Sequence, residues 1–115
     1  RVLCLPSARE GMPNVVLEAA SVGVPAIVSN ATGARDSVED GHTGLVFRRG
    51  DVTALADALE VFVGDAAIAK AMGEAAREFV TREFAREVVW DRYERVFRSL
   101  FETIGKSNRV TFEIP

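Results

Sequence analysis

The sequence has 115 residues, 48% of them hydrophobic, and a mean hydropathy of +0.09, which is the composition of about one compact globular domain. Fourteen basic and seventeen acidic residues give a net charge of -3, so the chain lacks the positive excess of a nucleic-acid-binding protein. One cysteine and one histidine exclude an internal disulfide and a zinc cage, and no apolar stretch reaches the ~18 residues of a membrane-spanning helix.

The first thirty residues predict a strand, a helix and a second strand. Residues 2–5 form a short apolar run, which is typical of a strand covered on both faces. Pro13 suits the first position of a helix, because its fixed backbone angle is helical and it needs no hydrogen-bond acceptor there. Residues 25–29 predict a second buried strand, so the unit is a parallel, right-handed crossover. The predicted apolar stripe of the helix is Val15, Ala19 and Val22, with Val16 and Ala20 beside it.

The middle of the chain predicts a third strand. Residues 30–33 are a loop, residues 34–39 allow one or two helical turns, and residues 44–47 form the strand. Strands that alternate with helices indicate an α/β fold, here a Rossmann-like parallel sheet with flanking helices.

Two capped helices follow. Asp51 is placed to cap a helix over residues 52–63, ended by Gly64, and Asp65 is placed to cap the next helix. The first of these helices carries Leu55, Leu59 and Phe62 at helical spacing, and the second carries Ile68, Met72, Ala75 and Phe79.

A final helix is predicted over residues 85–104, ended by Gly105. One face carries Trp90, Tyr93, Phe97 and Phe101. Such a stripe usually packs in a core, but three short strands cannot cover all of it, so we expect it to pack also on something outside this chain. Residues 105–115 are predicted to be a tail that could include an edge strand, which leaves residues 1–104 as the domain.

Two loops are expected at the carboxyl ends of the strands, where open parallel sheets bind their ligands. They are residues 7–14 and 30–33. The start of the first helix leaves the N–H groups of Asn14, Val15 and Val16 unpaired, which makes an anion site that needs no lysine. Gly11 lets the backbone come close to a ligand. A diphosphate is therefore a physically reasonable ligand for this site.

Two acids bracket this anion site. Glu10 precedes the helix, and Glu18 lies one turn beyond Asn14. Carboxylates accept hydrogen bonds from sugar hydroxyls, so Glu18 suits a ribose and Glu10 a transferred sugar, as in a nucleotide sugar. Two other interpretations stay open. Ser7 and Glu10 have the spacing of a capping box, and Glu18 could be a solvated side chain of the helix.

The full string of motifs resembles a known family. It comprises residues 6–19 (PSAREGMPNVVLEA), then 23–28 (GVPAIV), Gly33, and 40–46 (DGHTGLV). In this order they closely resemble the nucleotide-sugar half of the retaining family-four glycosyltransferases, which have the two-domain GT-B fold. The resemblance runs from about residue 2 to residue 65.

The resemblance implies a role for each matched residue. The pair Glu10 and Glu18 corresponds to the paired glutamates of the family, of which the first faces the donor sugar and the second holds the ribose. The backbone of Gly11 and Met12 would lie beside the sugar, and the amides of Asn14 and Val15 would hold the diphosphate. The resemblance implies no bound metal and no other cofactor, and this segment offers no catalytic nucleophile or base.

The sequence also departs from the family pattern. Where relatives have Gly-Gly and then a glutamate, this chain has Thr32-Gly33 and then Asp36, which we leave out of the site. Arg9 and Arg35 could help at the phosphate edge but are typical surface charges, and His42 follows a turn glycine. The family's basic pair is not found in this chain, and we expect it, with an amino-terminal Rossmann-like domain that binds the acceptor, upstream of residue 1.

The sequence thus predicts the donor-binding part of an enzyme that transfers a sugar from a nucleoside diphosphate to a hydroxyl, with retention of configuration. The acceptor would be a sugar or a lipid-linked molecule in polysaccharide biosynthesis. The protein would be cytoplasmic or peripheral at the inner membrane surface. The 115-residue chain alone should transfer nothing. The alternatives are a non-catalytic binding module that docks through its aromatic helix, and a GT-B epimerase or phosphorylase.

Overall fold

The structure, a computed structural model, describes residues 1–107. Three parallel strands form one sheet in the order β1-β2-β3. Within residues 1–107, no helix combines the length and the apolar character needed to cross a membrane. The elements are β1 (Leu3–Leu5), α1 (Asn14–Ser21), β2 (Ala26–Ser29), a single 3₁₀ turn (Arg35–Ser37), β3 (Gly44–Phe47), α2 (Val52–Gly64), α3 (Ala66–Phe84) and α4 (Arg86–Ser107).

The central strand β2 is buried on both faces, as predicted from its continuous apolar run. Successive side chains of a strand point to opposite faces, and the two hydrophobic clusters divide accordingly. Ala26 and Val28 pack with Val16 of α1, whereas Ile27 packs with Phe47 of β3 and Phe62 of α2. The predicted α/β fold with a parallel sheet is confirmed.

Helix α1 begins one residue later than predicted. Pro13 has an extended backbone, with φ -76° and ψ 101°, and stands just before the helix rather than in its first turn. The predicted apolar stripe was also wrong, because the buried residues are Val16 and Ala20, while Val15 is 45% exposed and Val22 73% exposed. Neighbouring positions differ by about 100° around a helix, so apolar spacing alone does not say which valine faces the sheet.

Helix α3 packs against α1, and its Gly73 lies against the turn that follows α1. A Cβ on Gly73 would lie 2.0 Å from the carbonyl oxygen of Gly23, so the two backbones approach more closely than any side chain permits. The fully buried stripe of α3 is Ala69, Gly73 and Ala76. The predicted apolar stripe of this helix, which comprises Ile68, Met72, Ala75 and Phe79, is only half-buried.

Both predicted helix caps are confirmed. The Oδ1 atom of Asp51 accepts from the amide of Ala54 at 2.9 Å, and that of Asp65 accepts from the amide of Ala67 at 2.8 Å. Each carboxylate satisfies an amide that the helix itself leaves without a partner.

Replacing Asp51 with alanine should therefore lower the free energy of unfolding by about 1 kcal/mol, the usual worth of such a cap. Urea denaturation of the chain measures this change. Asp57→Ala is the matched control, since Asp57 is exposed in the middle of α2 and caps nothing. Equal losses in the two variants would contradict the capping role.

Within the described residues, contacts divide the chain into one unit over residues 1–84 and a second unit that begins at Ala85. In the second unit α4 runs on through Gly105 to Ser107, so the predicted end at Gly105 was wrong. A glycine weakens a helix by only about 1 kcal/mol and does not block it as a proline does. The predicted edge strand lies mainly in residues 108–115, outside the described part, and the predicted domain 1–104 with its tail stays a prediction.

The aromatic face of α4 is exposed. Trp90 is 67% exposed and Phe101 64%, and Tyr93 stacks on Phe97 with ring centroids 6.5 Å apart. The interpretation of this face as a core stripe is therefore wrong for the residues that the structure describes. Helical spacing identified the face but not what covers it.

Candidate functional site

Three chain segments follow the three parallel strands at one edge of the sheet. They are residues 6–13 after β1, residues 30–34 after β2 and residues 48–51 after β3. Because parallel strands all end at the same edge, these segments lie side by side, in the position where open α/β sheets bind ligands. The two predicted loops thus converge, and the third segment was not predicted to take part.

The first two loops are in direct backbone contact at Gly33. This glycine is buried and has a φ of +82°. A Cβ built on it would lie 1.5 Å from the carbonyl oxygen of Gly11 and 2.6 Å from that of Glu10. The hydroxyl of Ser29, at the end of β2, also donates to the carbonyl oxygen of Ser7 at 2.5 Å. The end of β2 therefore holds the loop that carries Glu10.

Glu10 itself is half-buried and held by a neighbouring side chain. The Ser7 hydroxyl donates to Oε1 of Glu10 at 2.6 Å. No helix begins at Ser7, so the capping-box interpretation of this pair is wrong. The second oxygen of the carboxylate, Oε2, has no hydrogen-bond partner among residues 1–107. The carboxylate is thus oriented by Ser7 and still has an acceptor for a ligand.

The start of α1 offers two backbone donors. The exposed Asn14 and Val15 donate no backbone hydrogen bond to any other residue in the described part of the chain. Val16, which we expected to be unpaired as well, donates to the carbonyl oxygen of Pro13 at 3.0 Å, because the first turn closes tightly. The positive end of the helix dipole adds to the two free donors, so the anion site is smaller than predicted.

Glu18 lies one turn further along α1 and is exposed. Its carboxylate makes no hydrogen bond or ion pair with the described residues. This is expected both of a solvated acid and of an acid that binds a ligand. Residues four apart share a helix face, so Glu18 stands on the same side as Asn14. Gly11 and Met12 are exposed as well, and Met12 is 43% accessible.

Several other charged or reactive side chains are not among the predicted site residues. Asp36, Arg35 and His42 are exposed. Burial raises the pKa of the Cys4 thiol, which keeps it protonated at neutral pH and disfavours a nucleophilic role. In residues 1–107 no three His, Cys, Asp or Glu side chains are grouped as metal ligands.

The third segment, which carries Arg48 and Arg49, was not predicted from the sequence to take part in the site. Nη1 of Arg49 donates to the carbonyl oxygen of Ala8 at 2.9 Å, and its amide donates to Oδ1 of Asn30 at 2.9 Å. Arg49 thus ties the end of β3 to both predicted loops. The signal was available, because two adjacent arginines directly after a predicted strand belong at the same sheet edge as the other loops.

Comparison with known proteins gives consistent results. Residues 1–79 match the family model of glycosyl transferases group 1. The capsular polysaccharide biosynthesis glycosyltransferase CapM of Staphylococcus aureus is 35% identical over 106 residues, which are 91% of this chain and 28% of CapM. A GDP-mannose-dependent alpha-(1-6)-phosphatidylinositol monomannoside mannosyltransferase of Mycobacterium tuberculosis is 42% identical over 82 residues, which are 71% of this chain and 20% of that protein.

Solved structures show the same fold. A sucrose-phosphate synthase from Thermosynechococcus elongatus superposes with a TM-score of 0.80 at 32% identity, over 89% of this chain and 26% of the other. HepE from Anabaena, solved with UDP, gives a TM-score of 0.79 at 22% identity, over 85% of this chain and 27% of the other. The chain spans between a fifth and a third of the length of these proteins. With a family match over residues 1–79 and a fold shared with solved relatives, the chain belongs to the glycosyl transferases group 1.

Proposed function

We propose that this chain forms the donor-binding part of a glycosyltransferase that moves a sugar from a nucleoside diphosphate to a hydroxyl group. One observation carries the proposal. Two free amide donors, those of Asn14 and Val15, open toward solvent between two acids, one of them held in place by Ser7. Membership of the glycosyl transferases group 1 and the GDP-mannose dependence of one relative support the same donor class.

Each part of the donor has a suitable partner in this proposal. The amides of Asn14 and Val15 bind the diphosphate, because a helix start favours an anion and presents unpaired donors. Glu18 accepts from the two ribose hydroxyls, and Oε2 of Glu10 accepts from a hydroxyl of the transferred sugar. Gly11 and Met12, which are exposed beside Glu10, let the sugar lie against the backbone.

In this proposal the chain promotes sugar transfer mainly through electrostatic stabilisation of the leaving group. The leaving diphosphate gains negative charge as the sugar departs, and amides already aimed at it stabilise that charge without reorganising. We propose that these donors, together with basic groups of an amino-terminal domain, do this without a metal ion. That domain would also supply most of the acceptor site. The resemblance to retaining enzymes extends the proposal to retention of configuration, which the anomeric form of the product tests.

The direct test is to titrate UDP-glucose and GDP-mannose into the chain and follow backbone amide shifts. We expect the amides of Asn14, Val15 and Glu18 to shift with one of the two donors, at half-saturation of about 1 mM or below. The amide of Ala71, exposed on α3, serves as an internal control. If Asn14 and Val15 stay unmoved by both donors, donor binding by this edge of the sheet is refuted.

A second candidate is an assembly module in which the sheet is only a scaffold. The exposed aromatic face of α4, with Tyr93 57% and Phe97 56% accessible, favours this candidate. The same titration separates the two functions, because a scaffold leaves the amides of α1 silent. A sugar-nucleotide epimerase would bind the same nucleotide sugar, whereas a glycosyl phosphorylase would bind a sugar phosphate. Analysis of the products of the longer protein separates both from a transferase.

A further inference from the structure

A second polar crevice lies beside the proposed donor site, at the same edge of the sheet. It has a volume of about 520 Å³ and is lined by Arg9, Arg48 and Arg49, together with Ala8 and residues 30–32. The three arginines come from two different loops, after β1 and after β3, and only the fold brings them together. The crevice lining includes no acidic residue, although the chain as a whole carries a net charge of -3.

Arg49 is fixed across this crevice by the protein itself. Its guanidinium donates to the Ala8 carbonyl at 2.9 Å through Nη1, and its backbone amide donates to Oδ1 of Asn30 at 2.9 Å. The amide of Asn30 in turn donates to the carbonyl oxygen of Phe47 at 2.8 Å. One guanidinium nitrogen is thus used by the protein, while a planar guanidinium has five N–H donors in all. The remaining donors stay available to a ligand.

The side chains of Arg9 and Arg48 make no such hydrogen bonds. Both are exposed, and neither makes an ion pair or side-chain hydrogen bond among residues 1–107. Other exposed arginines do pair: Arg98 lies 2.5 Å from Glu94, and Arg82 lies 3.0 Å from Glu83. Three positive charges that share one crevice without an internal counterion repel each other. An external anion would relieve that repulsion.

The crevice is distinct from the proposed donor site. Its lining from the first loop stops at Arg9, before Glu10, and includes nothing from α1. Its other walls belong to the segments after β2 and β3, whereas the donor amides open at the start of the helix that follows β1. When the diphosphate of a donor binds the amides of Asn14 and Val15, the three arginines therefore stay available to bind a different anionic group.

We propose that the crevice of Arg9, Arg48 and Arg49 binds a phosphate-type oxyanion carried by the acceptor. The assignment to the acceptor rests on the proposed function, and the oxyanion site itself rests on the arginines alone. Guanidinium groups suit this ligand because their planar fork matches two phosphate oxygens at once. The acceptor class that follows is a phosphorylated sugar or a phosphate-bearing lipid, rather than a neutral saccharide.

The first test is a titration of the chain with inorganic phosphate, followed by the amide shifts of Ala8, Asn30 and Arg49. We expect these amides to shift. We expect Arg9→Gln and Arg48→Gln, made separately, each to weaken the binding about tenfold, the value of one charge-assisted hydrogen bond. These substitutions remove charge but no contact within the described protein. Arg77→Gln, an exposed arginine of α3 outside the crevice, is the matched control. The absence of shifts, or equal weakening in the control, overturns the site.

A second titration identifies the source of the oxyanion. Glycerol 1-phosphate and UDP-glucose are compared, each alone. If glycerol 1-phosphate moves the crevice amides and UDP-glucose moves only Asn14 and Val15, the separate acceptor site stands. If UDP-glucose moves both sets at one half-saturation, the arginines serve the donor diphosphate and the acceptor assignment is overturned. Silence at Asn14 and Val15 with UDP-glucose and GDP-mannose refutes the proposed function, while the phosphate response of the crevice is measured independently.

Discussion

Replacing Gly33 with alanine should lower the free energy of unfolding by about 2 to 4 kcal/mol and weaken donor binding at the same time. Two costs combine. The backbone φ of +82° disfavours any residue with a Cβ, and that Cβ would fall 1.5 Å from the carbonyl oxygen of Gly11. Because the obstacle is backbone rather than a flexible side chain, relief requires movement of the whole loop that carries Glu10.

Gly50→Ala separates the two costs. Gly50 has the same φ of +82°, but a Cβ there would meet nothing within 4 Å. It should therefore cost only about 1 to 2 kcal/mol, the price of the left-handed conformation alone. Urea denaturation of both variants measures the difference. If Gly33→Ala were no more destabilising than Gly50→Ala, the contact between the two loops would not be as close as the structure has it.

Gly33→Ala and Gly50→Ala also test whether the contact between the two loops affects donor binding. In Gly33→Ala the loop with Glu10 and Gly11 must shift away from the end of β2, which moves Glu10 relative to the amides of Asn14 and Val15. We expect donor binding to weaken beyond what the unfolded fraction explains. Gly50 lies after β3, and a Cβ there would meet neither loop, so its substitution should leave the binding constant unchanged once the folded fraction is accounted for.

Local patterns were sufficient to predict the layout of the sheet. Residues 25–28 are all apolar and are followed by Ser29, and a short continuous apolar run of this kind is typical of a strand covered on both faces. Asp51 and Asp65 precede apolar helical stretches, so their capping role needed no tertiary information. The choice between Val15 and Val16 did need it, because Val16 is buried by packing on Ala26 and Val28 of β2, and no pattern within α1 contains that contact.

The residues of the candidate site also divide into those that a local sequence pattern reveals and those that depend on long-range contacts. Glu10, Glu18 and the amides of α1 lie within one local segment, so their spacing could be interpreted directly. The link from Arg49 to Ala8 spans 41 residues, and the contact of Gly33 with Gly11 depends on how two loops meet. No local pattern contains such contacts. The aromatic face of α4 could be recognised because helical spacing is a local pattern. The 67% exposure of Trp90 could not be predicted, because it depends on what surrounds the helix.

The two acids should respond differently to nucleotide and to nucleotide sugar. Glu18→Gln should weaken binding of both by about tenfold, because a neutral amide replaces a charge-assisted acceptor of the ribose hydroxyls. Glu10→Gln should weaken only the nucleotide sugar, since Glu10 is assigned to the sugar and not to the nucleotide. Calorimetry with UDP and UDP-glucose measures this, or with GDP and GDP-mannose if the guanine donor is the one that binds.

This contrast distinguishes specific roles from a general effect of charge. Glu60→Gln, which neutralises an exposed acid of α2, controls for the change in net charge and should alter neither constant. If both variants weakened UDP and UDP-glucose equally, the acids would act only through the overall field, and the division of the donor between them would be wrong. If neither variant changed either constant, Glu18 would be the solvated side chain that its exposure also allows. Glu10 would then be held by Ser7 for the shape of the loop alone.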